Sequence, residues 1–175
     1  DAKTLRQIST GKKENKFGVD QKVFFSLINL INKSKYLNLK CLSVHIGSQI
    51  LNYRPYQNML KVISKIITKS NFNFEYIDLG GGMGIDYSHN NSKLNFKKYS
   101  QSIENFLKTN NCKIIFEPGR SIIANAGHLV SEVIYIKEGE KKNFVIVDAA
   151  MNDLMRPALY NAYHRVIPAK KNNQK

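Results

Sequence analysis

Three short clusters of glycine and polar residues are the first candidates for chemistry, because each one directly follows a β-prone apolar run. They are HIGSQ beginning at His45, GGGMG beginning at Gly80 and EPGR beginning at Glu117. Each cluster begins about one strand-and-helix unit after the previous one. The carboxyl ends of the strands of a β/α barrel converge on one face, where active sites are built. We therefore expect the three clusters to form one pocket.

The glycine run Gly80, Gly81 and Gly82 favours an anion site, since a backbone without side chains lets its N–H groups approach a phosphate closely. The spacing does not fit the dinucleotide-binding pattern G-x-G-x-x-G, because Ile85 occupies the third glycine position. Glycine also serves tight turns between strands and helices. By itself the run supports a phosphate site and a tight turn about equally.

Single side chains in the other two clusters have both a functional and a structural interpretation. His45 could lie flat against an aromatic ligand while Ser48 bonds a phosphate oxygen, or His45 could be satisfied by a backbone carbonyl at a strand end. Glu117, an acid directly after an apolar strand, is either neutralised by a neighbour or held for function. Arg120 could be its salt-bridge partner. The residues alone leave these alternatives open.

The elements that must position these clusters are predicted from hydrophobic periodicity. The predicted strands are residues 40–46, 74–79, 113–117 and 143–148. Apolar residues recur at helical spacing between 24 and 31, between 59 and 67, and between 96 and 107. Asp20 is the predicted N-cap of the first helix.

The pattern changes after Arg120 and predicts two domains. Residues 129–136 and 144–147 are typical of strands joined by the turn-like KEGEKKN without a helix, which indicates a β-rich domain that begins near Gly127. A complete eight-stranded barrel needs roughly 250 residues, so a chain of 175 can hold only part of one. We expect a partial (β/α)8 barrel in residues 1–126, the beginning of a C-terminal β domain in 127–168 and a disordered tail in 169–175.

Composition indicates a globular protein of the cytoplasm. Apolar residues make up 42%, no apolar run is long enough to span a membrane, and the two cysteines, Cys41 and Cys112, are predicted to be buried reduced thiols. The opening residues lack a signal-peptide core and begin at Asp1, so we expect the chain to be part of a longer protein.

The net charge of +14 could indicate a nucleic-acid partner, but the lysines of the chain are scattered over predicted helix faces and loops. We expect a solvated surface, with no specific nucleic acid and no membrane as partner.

Together with MNDLMRPALY at 151–160, the three clusters resemble the diaminopimelate decarboxylases in order and spacing, and STGKKENKFGV at 9–19 is similar to the same family. The first three motifs are shared in form with ornithine and arginine decarboxylases of the same fold, whereas the last is more specific. The resemblance covers almost the entire chain. It implies a β/α barrel of the alanine-racemase-like type followed by a β domain, and pyridoxal 5'-phosphate as cofactor.

The resemblance also implies a role for each matching residue. His45 would stack on the cofactor ring, and Glu117 would face the pyridine nitrogen and keep it protonated, which makes the ring a strong electron sink. The residues implied to hold the phosphate are Ser48, Gly80, Gly81, Gly82, Pro118, Gly119 and Arg120. Those implied to bind the substrate are Arg120, Arg156 and Tyr160. The implied reaction converts meso-2,6-diaminopimelate to L-lysine and carbon dioxide.

Two catalytic residues of the family have no counterpart in this sequence: the lysine that carries the cofactor and the proton-donor cysteine contributed across a dimer interface. We therefore expect the intact enzyme to be a homodimer and this chain alone to be an inactive fragment. Either a disrupted gene or an enzyme assembled from separate chains would explain a chain that keeps the inner motifs and lacks these two residues.

Two alternative functions remain open. One is an ornithine- or arginine-type decarboxylase, and the other is a noncatalytic pyridoxal-phosphate-binding protein.

Overall fold

The computed structural model of the protein describes residues 17–88 and 92–170. The motif at 9–19 lies mostly outside the described residues, as does the predicted tail beyond residue 170. In chain order the elements are α1 Gln21–Lys33, β1 Cys41–Ser43, α2 Arg54–Ser70, β2 Tyr76–Asp78, α3 Phe96–Leu107, β3 Lys113–Ile115, α4 Arg120–Ile123, β4 Val133–Lys137, β5 Phe144–Val147 and α5 Arg156–Tyr160.

The chain divides into two compact units. Within the described residues, the first unit comprises 17–86 and 92–124, and the second comprises 87–88 and 125–170. The boundary predicted near Gly127 lies close to the division after Ala124. The assignment of the two units to a barrel and a separate β domain stays a prediction.

The first unit is a mixed α/β structure built on a parallel sheet. Its strand order is β1-β2-β3, with Leu42 opposite Ile77 and Ile77 opposite Ile114. The first three predicted strands are thereby confirmed, although each is three residues long rather than five to seven. Backbone hydrogen bonds nevertheless continue beyond the last ladder pairs, from the Val44 N–H to the Asp78 carbonyl and from the Leu79 N–H to the Ile115 carbonyl.

Three amphipathic helices of the first unit match the predicted patterns. Asp20 caps α1, since its carboxylate accepts a hydrogen bond from the Lys22 N–H at 2.8 Å. Helix α2 begins with Pro55 in its first turn, where a missing N–H costs no helical hydrogen bond. It ends at Asn71, which adopts the left-handed conformation that terminates many helices.

The core of the first unit lies between these helices and the sheet. Helix α2 contributes its buried face, β2 contributes Ile77, and the residue after β2 is Leu79; Ile77 and Leu79 are both fully buried. The buried apolar residues that form one cluster are Ile28, Ile50, Tyr56, Met59, Leu60, Ile63, Phe74, Ile77, Leu79, Met83, Leu94, Tyr99, Ile103 and Phe106. Burying one large aliphatic side chain stabilises a fold by about 1.5–3 kcal/mol.

The two cysteines correct one expectation. Cys41 and Cys112 form no disulfide, as expected, but both are half-buried rather than buried. Cys41 begins β1 and Cys112 directly precedes β3, the two outer strands of the three-stranded sheet, so the sheet covers only part of each side chain. Partial burial still raises the pKa of both thiols.

The second unit contains an antiparallel hairpin of β4 and β5, with Val133 opposite Val147 and Lys137 opposite Phe144. This confirms the predicted pair of strands without an intervening helix, although the first strand begins at Val133 rather than Leu129. The short helix α5 was not predicted. In the part of the chain that the structure describes, no helix is long and apolar enough to cross a membrane.

Candidate active site

The glycine run follows β2 and connects the three sequence clusters through its backbone. The carbonyl of Gly80 accepts a hydrogen bond from the Glu117 N–H at 2.9 Å, and the carbonyl of Gly82 accepts one from the Ile50 N–H at 2.9 Å. Gly80 and Gly82 have φ angles of 63° and 84°, in the left-handed region that favours glycine. The turn therefore needs glycine at both positions.

Close packing is a second reason for glycine. A Cβ atom on Gly81 would overlap the carbonyl oxygen of Glu117, and one on Gly82 would overlap the carbonyl oxygen of Gly47. A Cβ on Gly80 would lie 2.8 Å from the Nδ1 atom of His45. The structure thus brings together the clusters that begin at 45, 80 and 117, as their positions after successive strands predicted.

His45 is exposed, and its ring is oriented by the glycine turn. Its Nδ1 atom accepts a long hydrogen bond of 3.4 Å from the Gly81 N–H, so a neutral imidazole carries its proton on Nε2. Ser48 is half-buried, and within residues 17–88 and 92–170 its hydroxyl makes no hydrogen bond. A hydroxyl in this position could donate to a ligand.

Glu117 and Arg120 do not form the ion pair that the sequence left open. Among the described residues the one ion pair joins Lys40 and Glu75, whereas Arg120 Nη1 donates to Gln49 Oε1 at 3.0 Å. The carboxylate of Glu117 is exposed at the end of β3. Such an acid is available to a ligand.

Pro118 and Gly119 are exposed in the turn that leads into α4. The carbonyl of Gly119 accepts hydrogen bonds from Ile122 and Ile123, so this glycine begins the short helix that carries Arg120. The turn therefore fixes the backbone on both sides of Arg120.

Sequence reasoning assigned no role to Gln49, although it lies in the HIGSQ motif. Its side-chain amide donates to the carbonyl of Ile85 at 2.6 Å, and its φ of 62° is unusual for a residue with a side chain. Gln49 thereby joins Ile85, which directly follows the GGGMG cluster, to Arg120. The position of Gln49 directly after Ser48, within the HIGSQ motif, was the one sequence feature that could have indicated this role.

Two further buried residues, Asp78 and Tyr56, form hydrogen bonds to the glycine turn, and the sequence motifs did not predict either of them. Asp78 accepts hydrogen bonds from the Gly80 N–H at 2.8 Å and from the Ser43 hydroxyl at 3.0 Å. Tyr56 donates its hydroxyl proton to the carbonyl of Gly81 at 3.0 Å. An acid two residues before the glycine run was a readable signal for Asp78, whereas Tyr56 has the pattern of an ordinary apolar position of α2.

The remaining predicted residues, Arg156 and Tyr160, lie in the second unit. Arg156 Nη1 donates to the Tyr87 hydroxyl at 3.1 Å and lies 3.3 Å from His164 Nε2. Burial and the charge of Arg156 lower the pKa of His164, which keeps the imidazole neutral near neutral pH. Tyr160 is exposed at the end of α5, one helical turn beyond Arg156.

The donor set of the first unit suits a phosphorylated aromatic ligand. The Ser48 hydroxyl and the Gly82 N–H make no hydrogen bond to another described residue, and both are the kinds of donor that bind phosphate. The exposed ring of His45 offers a stacking surface, and Glu117 offers a carboxylate for a ring nitrogen. Pyridoxal phosphate has all three complementary features. The described residues contain no group of metal-binding side chains.

Comparison with known proteins identifies the family of the chain. Residues 1–124 match the family described as pyridoxal-dependent decarboxylase, pyridoxal binding domain. Diaminopimelate decarboxylase from Aquifex aeolicus is 40% identical over 178 residues, covering 100% of this chain and 42% of that protein. The homologue from Helicobacter pylori strain J99 is 41% identical over 95% of this chain and 42% of its own length.

Solved structures give the same result. The crystal structure of diaminopimelate decarboxylase from Helicobacter pylori, complexed with L-lysine, superposes with a TM-score of 0.88 at 41% identity and covers 98% of this chain and 44% of that one. The lysine/ornithine decarboxylase of Vibrio vulnificus is 21% identical with a TM-score of 0.73, which shows a shared fold alone. The chain spans less than half the length of the relatives that it matches. It belongs to the family of pyridoxal-dependent decarboxylases, through the pyridoxal-binding domain that its first 124 residues match.

Proposed function

We propose that this chain is part of a decarboxylase that converts meso-2,6-diaminopimelate to L-lysine and carbon dioxide in the cytoplasm. The observation that carries the proposal is the contact between the three clusters at one end of a parallel sheet, through Gly80, Gly81 and Gly82. Support for the substrate comes from relatives at about 40% identity that are named diaminopimelate decarboxylase.

The proposal includes an architecture for the intact enzyme. Strands β1, β2 and β3 with helices α2 and α3 would form part of an eight-stranded β/α barrel, and the hairpin of the second unit would begin the C-terminal β domain. The parallel order of the three strands and the helix between each pair support the first assignment. We expect the intact enzyme to be a homodimer.

In the cofactor site, His45 would stack on the pyridine ring, while Ser48 and the Gly80–Gly82 turn would hold the phosphate with Pro118, Gly119 and Arg120. Pyridoxal phosphate, when bound, supplies an electron sink for the charge left when carbon dioxide departs. Glu117 would hold a proton on the pyridine nitrogen. Its exposed carboxylate, without an ion pair to Arg120, supports this role.

Arg156 would bind a carboxylate of the substrate, with Arg120 and Tyr160 as further contacts. A guanidinium has five N–H donors in a planar fork and can hold a carboxylate through two parallel hydrogen bonds. Tyr87 occupies one donor direction of Arg156, and the ring of Tyr87 lies 5.2 Å from the guanidinium carbon. These contacts restrict the orientation of the fork.

The Glu117 assignment is tested in a chimera that embeds residues 1–175 in the Aquifex aeolicus relative, which matches the whole chain. Glu117→Gln preserves the shape of the side chain and removes its charge. We expect kcat for diaminopimelate to fall by on the order of a hundredfold with KM little changed, because the role is electrostatic. An unchanged kcat with a raised KM contradicts the assignment.

Arg156→Ala in the same chimera should mainly raise KM for diaminopimelate, since the loss of a charge-assisted hydrogen bond costs roughly 1.5–3 kcal/mol. Lysine analogues without the distal carboxylate should be affected less. If both kinds of ligand are weakened equally, Arg156 does not recognise that carboxylate.

Substrate preference separates this proposal from its alternatives. Carbon dioxide release from ornithine or arginine that exceeds release from diaminopimelate would identify the ornithine- or arginine-type enzyme. Binding of pyridoxal phosphate by the chimera without carbon dioxide release from any of these amino acids would identify the chain as part of a noncatalytic binding protein.

A further inference from the structure

Tyr56 connects the core of the first unit to the glycine turn. Its side chain is fully buried on α2, and its ring packs against the ring of Tyr99 with the two centroids 4.7 Å apart. Its hydroxyl donates to the carbonyl of Gly81 at 3.0 Å. Burial, with a smaller contribution from Tyr99, raises the pKa of Tyr56, so the hydroxyl stays protonated and remains a donor.

This hydrogen bond fixes the direction of the next N–H group. The described chain has no cis peptide bond, and in a trans peptide the carbonyl and the following N–H point in opposite directions. Because the carbonyl of Gly81 points toward Tyr56 in the core, the N–H of Gly82 points away from the core. No other described residue accepts a hydrogen bond from that N–H.

We propose that Tyr56 is a positioning residue for an anion site, because its hydroxyl holds the Gly81 carbonyl inward and thereby presents the Gly82 N–H to a phosphate oxygen. The inference rests on the proposed function for the identity of the ligand, pyridoxal phosphate. It adds a buried side chain, outside the sequence motifs, on which the geometry of the phosphate site depends.

The chain offers a matched control in Tyr99. This tyrosine is also buried, at 5% exposure, and belongs to the same ring pair. Its hydroxyl is buried without a hydrogen-bond partner among the described residues, and burial raises its pKa to about 12. Tyr56→Phe and Tyr99→Phe therefore remove the same atom from neighbouring sites, and only the first removal frees the Gly81 carbonyl.

The first experiment measures binding of pyridoxal phosphate and of pyridoxal, which lacks the phosphate, to the full chain and to both variants. We expect Tyr56→Phe to weaken binding of pyridoxal phosphate about fivefold, the factor associated with one neutral hydrogen bond, and to leave pyridoxal binding unchanged. Tyr99→Phe should change neither. Equal weakening of both ligands, or equal effects of the two variants, overturns the inference.

The second measurement follows the Gly82 amide by nitrogen–proton NMR during titration with inorganic phosphate. We expect phosphate to move this signal in the wild-type chain and to move it less in Tyr56→Phe. A Gly82 amide that does not respond in the wild type overturns the inference, even if the variant fails to fold.

The two proposals can fail separately in these experiments. If phosphate moves the Gly82 amide more in the wild type than in Tyr56→Phe, but pyridoxal phosphate binds no more tightly than phosphate, the positioning role of Tyr56 stands and the cofactor assignment fails. If pyridoxal phosphate binds equally well to the wild type and to Tyr56→Phe, the cofactor assignment stands and the positioning role fails.

Discussion

The two units place their candidate residues by different means. In the first unit, Gly80, Gly81 and Gly82 are fixed by backbone hydrogen bonds and by contacts that leave no room for a Cβ atom, over a core of buried apolar side chains. In the second unit no described residue is buried, and Arg156 is oriented by side-chain contacts with Tyr87 and His164. The backbone and the core therefore determine the positions of the three glycines in the first unit, whereas side-chain contacts determine the position of Arg156 in the second.

The hairpin of the second unit shows the contrast most clearly. All five residues of β4 are exposed, including Ile134 at 61%, whereas Ile63 of α2 in the first unit is 1% exposed. Stability per residue should be concentrated where apolar surface is buried. We expect substitutions in the first unit to affect the whole fold and those in the second to act locally.

The largest effect should come from a cavity in the core. We expect Ile63→Ala to lower the free energy of unfolding by about 2–5 kcal/mol, because it removes buried apolar surface and leaves a void. Ile134→Ala deletes the same atoms from the exposed hairpin and should change the free energy of unfolding by less than about 0.5 kcal/mol. Urea denaturation followed by circular dichroism measures both. Similar losses would show that the two units do not differ in this way.

A smaller effect should come from the glycine turn. Gly81→Ala places a methyl group where the carbonyl of Glu117 lies, so we expect a loss of about 1–3 kcal/mol in the free energy of unfolding and weaker pyridoxal phosphate binding. Gly119→Ala is the control, because nothing lies within 4 Å of its Cβ position. The control should lose less than about 0.5 kcal/mol. Equal losses would mean that the turn adjusts to the added methyl group.

The smallest effect should appear in the second unit, at Asp148. Hydrogen bonds from the Glu132 N–H at 2.8 Å and the Ser131 hydroxyl at 2.9 Å hold the pKa of this carboxyl below its ordinary value of 3.8. Because the pKa of Asp148 is lower in the folded than in the unfolded protein, the ionised carboxylate stabilises the hairpin above about pH 4. This stabilisation is lost as the pH falls through the pKa of the folded protein. Carboxyl-carbon NMR should give a midpoint below 3.8 that rises in Ser131→Ala. A midpoint unaffected by this variant would show that the hydroxyl plays no part.

Much of the first unit could be predicted from local patterns. The N-cap at Asp20, the apolar stripes of α1, α2 and α3, and the three strands follow from spacing and side-chain type, which act over a few residues. Strand length was overestimated because hydrophobicity continues past the last ladder pair. Helix α5, with five residues, is too short for periodicity to detect.

The site could be predicted only in outline. Clusters beginning at 45, 80 and 117 were expected to converge because parallel strands end on the same side of a sheet, and their contacts agree with that rule. The partner of Arg120 could not be predicted. Glu117 is near Arg120 in sequence, but in the fold Gln49 accepts a hydrogen bond from the Arg120 side chain.

The sequence by itself determined which residue types are available for the chemistry and in what order they follow the strands, because both depend on local composition. Tertiary structure alone decided that Tyr56 reaches the carbonyl of Gly81, that Asp78 holds the N–H of Gly80, and that Arg120 contacts Gln49. Each of these contacts joins residues on different elements or fixes a turn. A hydrogen bond requires a separation of about 3 Å and a narrow range of angles, which only the packed chain provides.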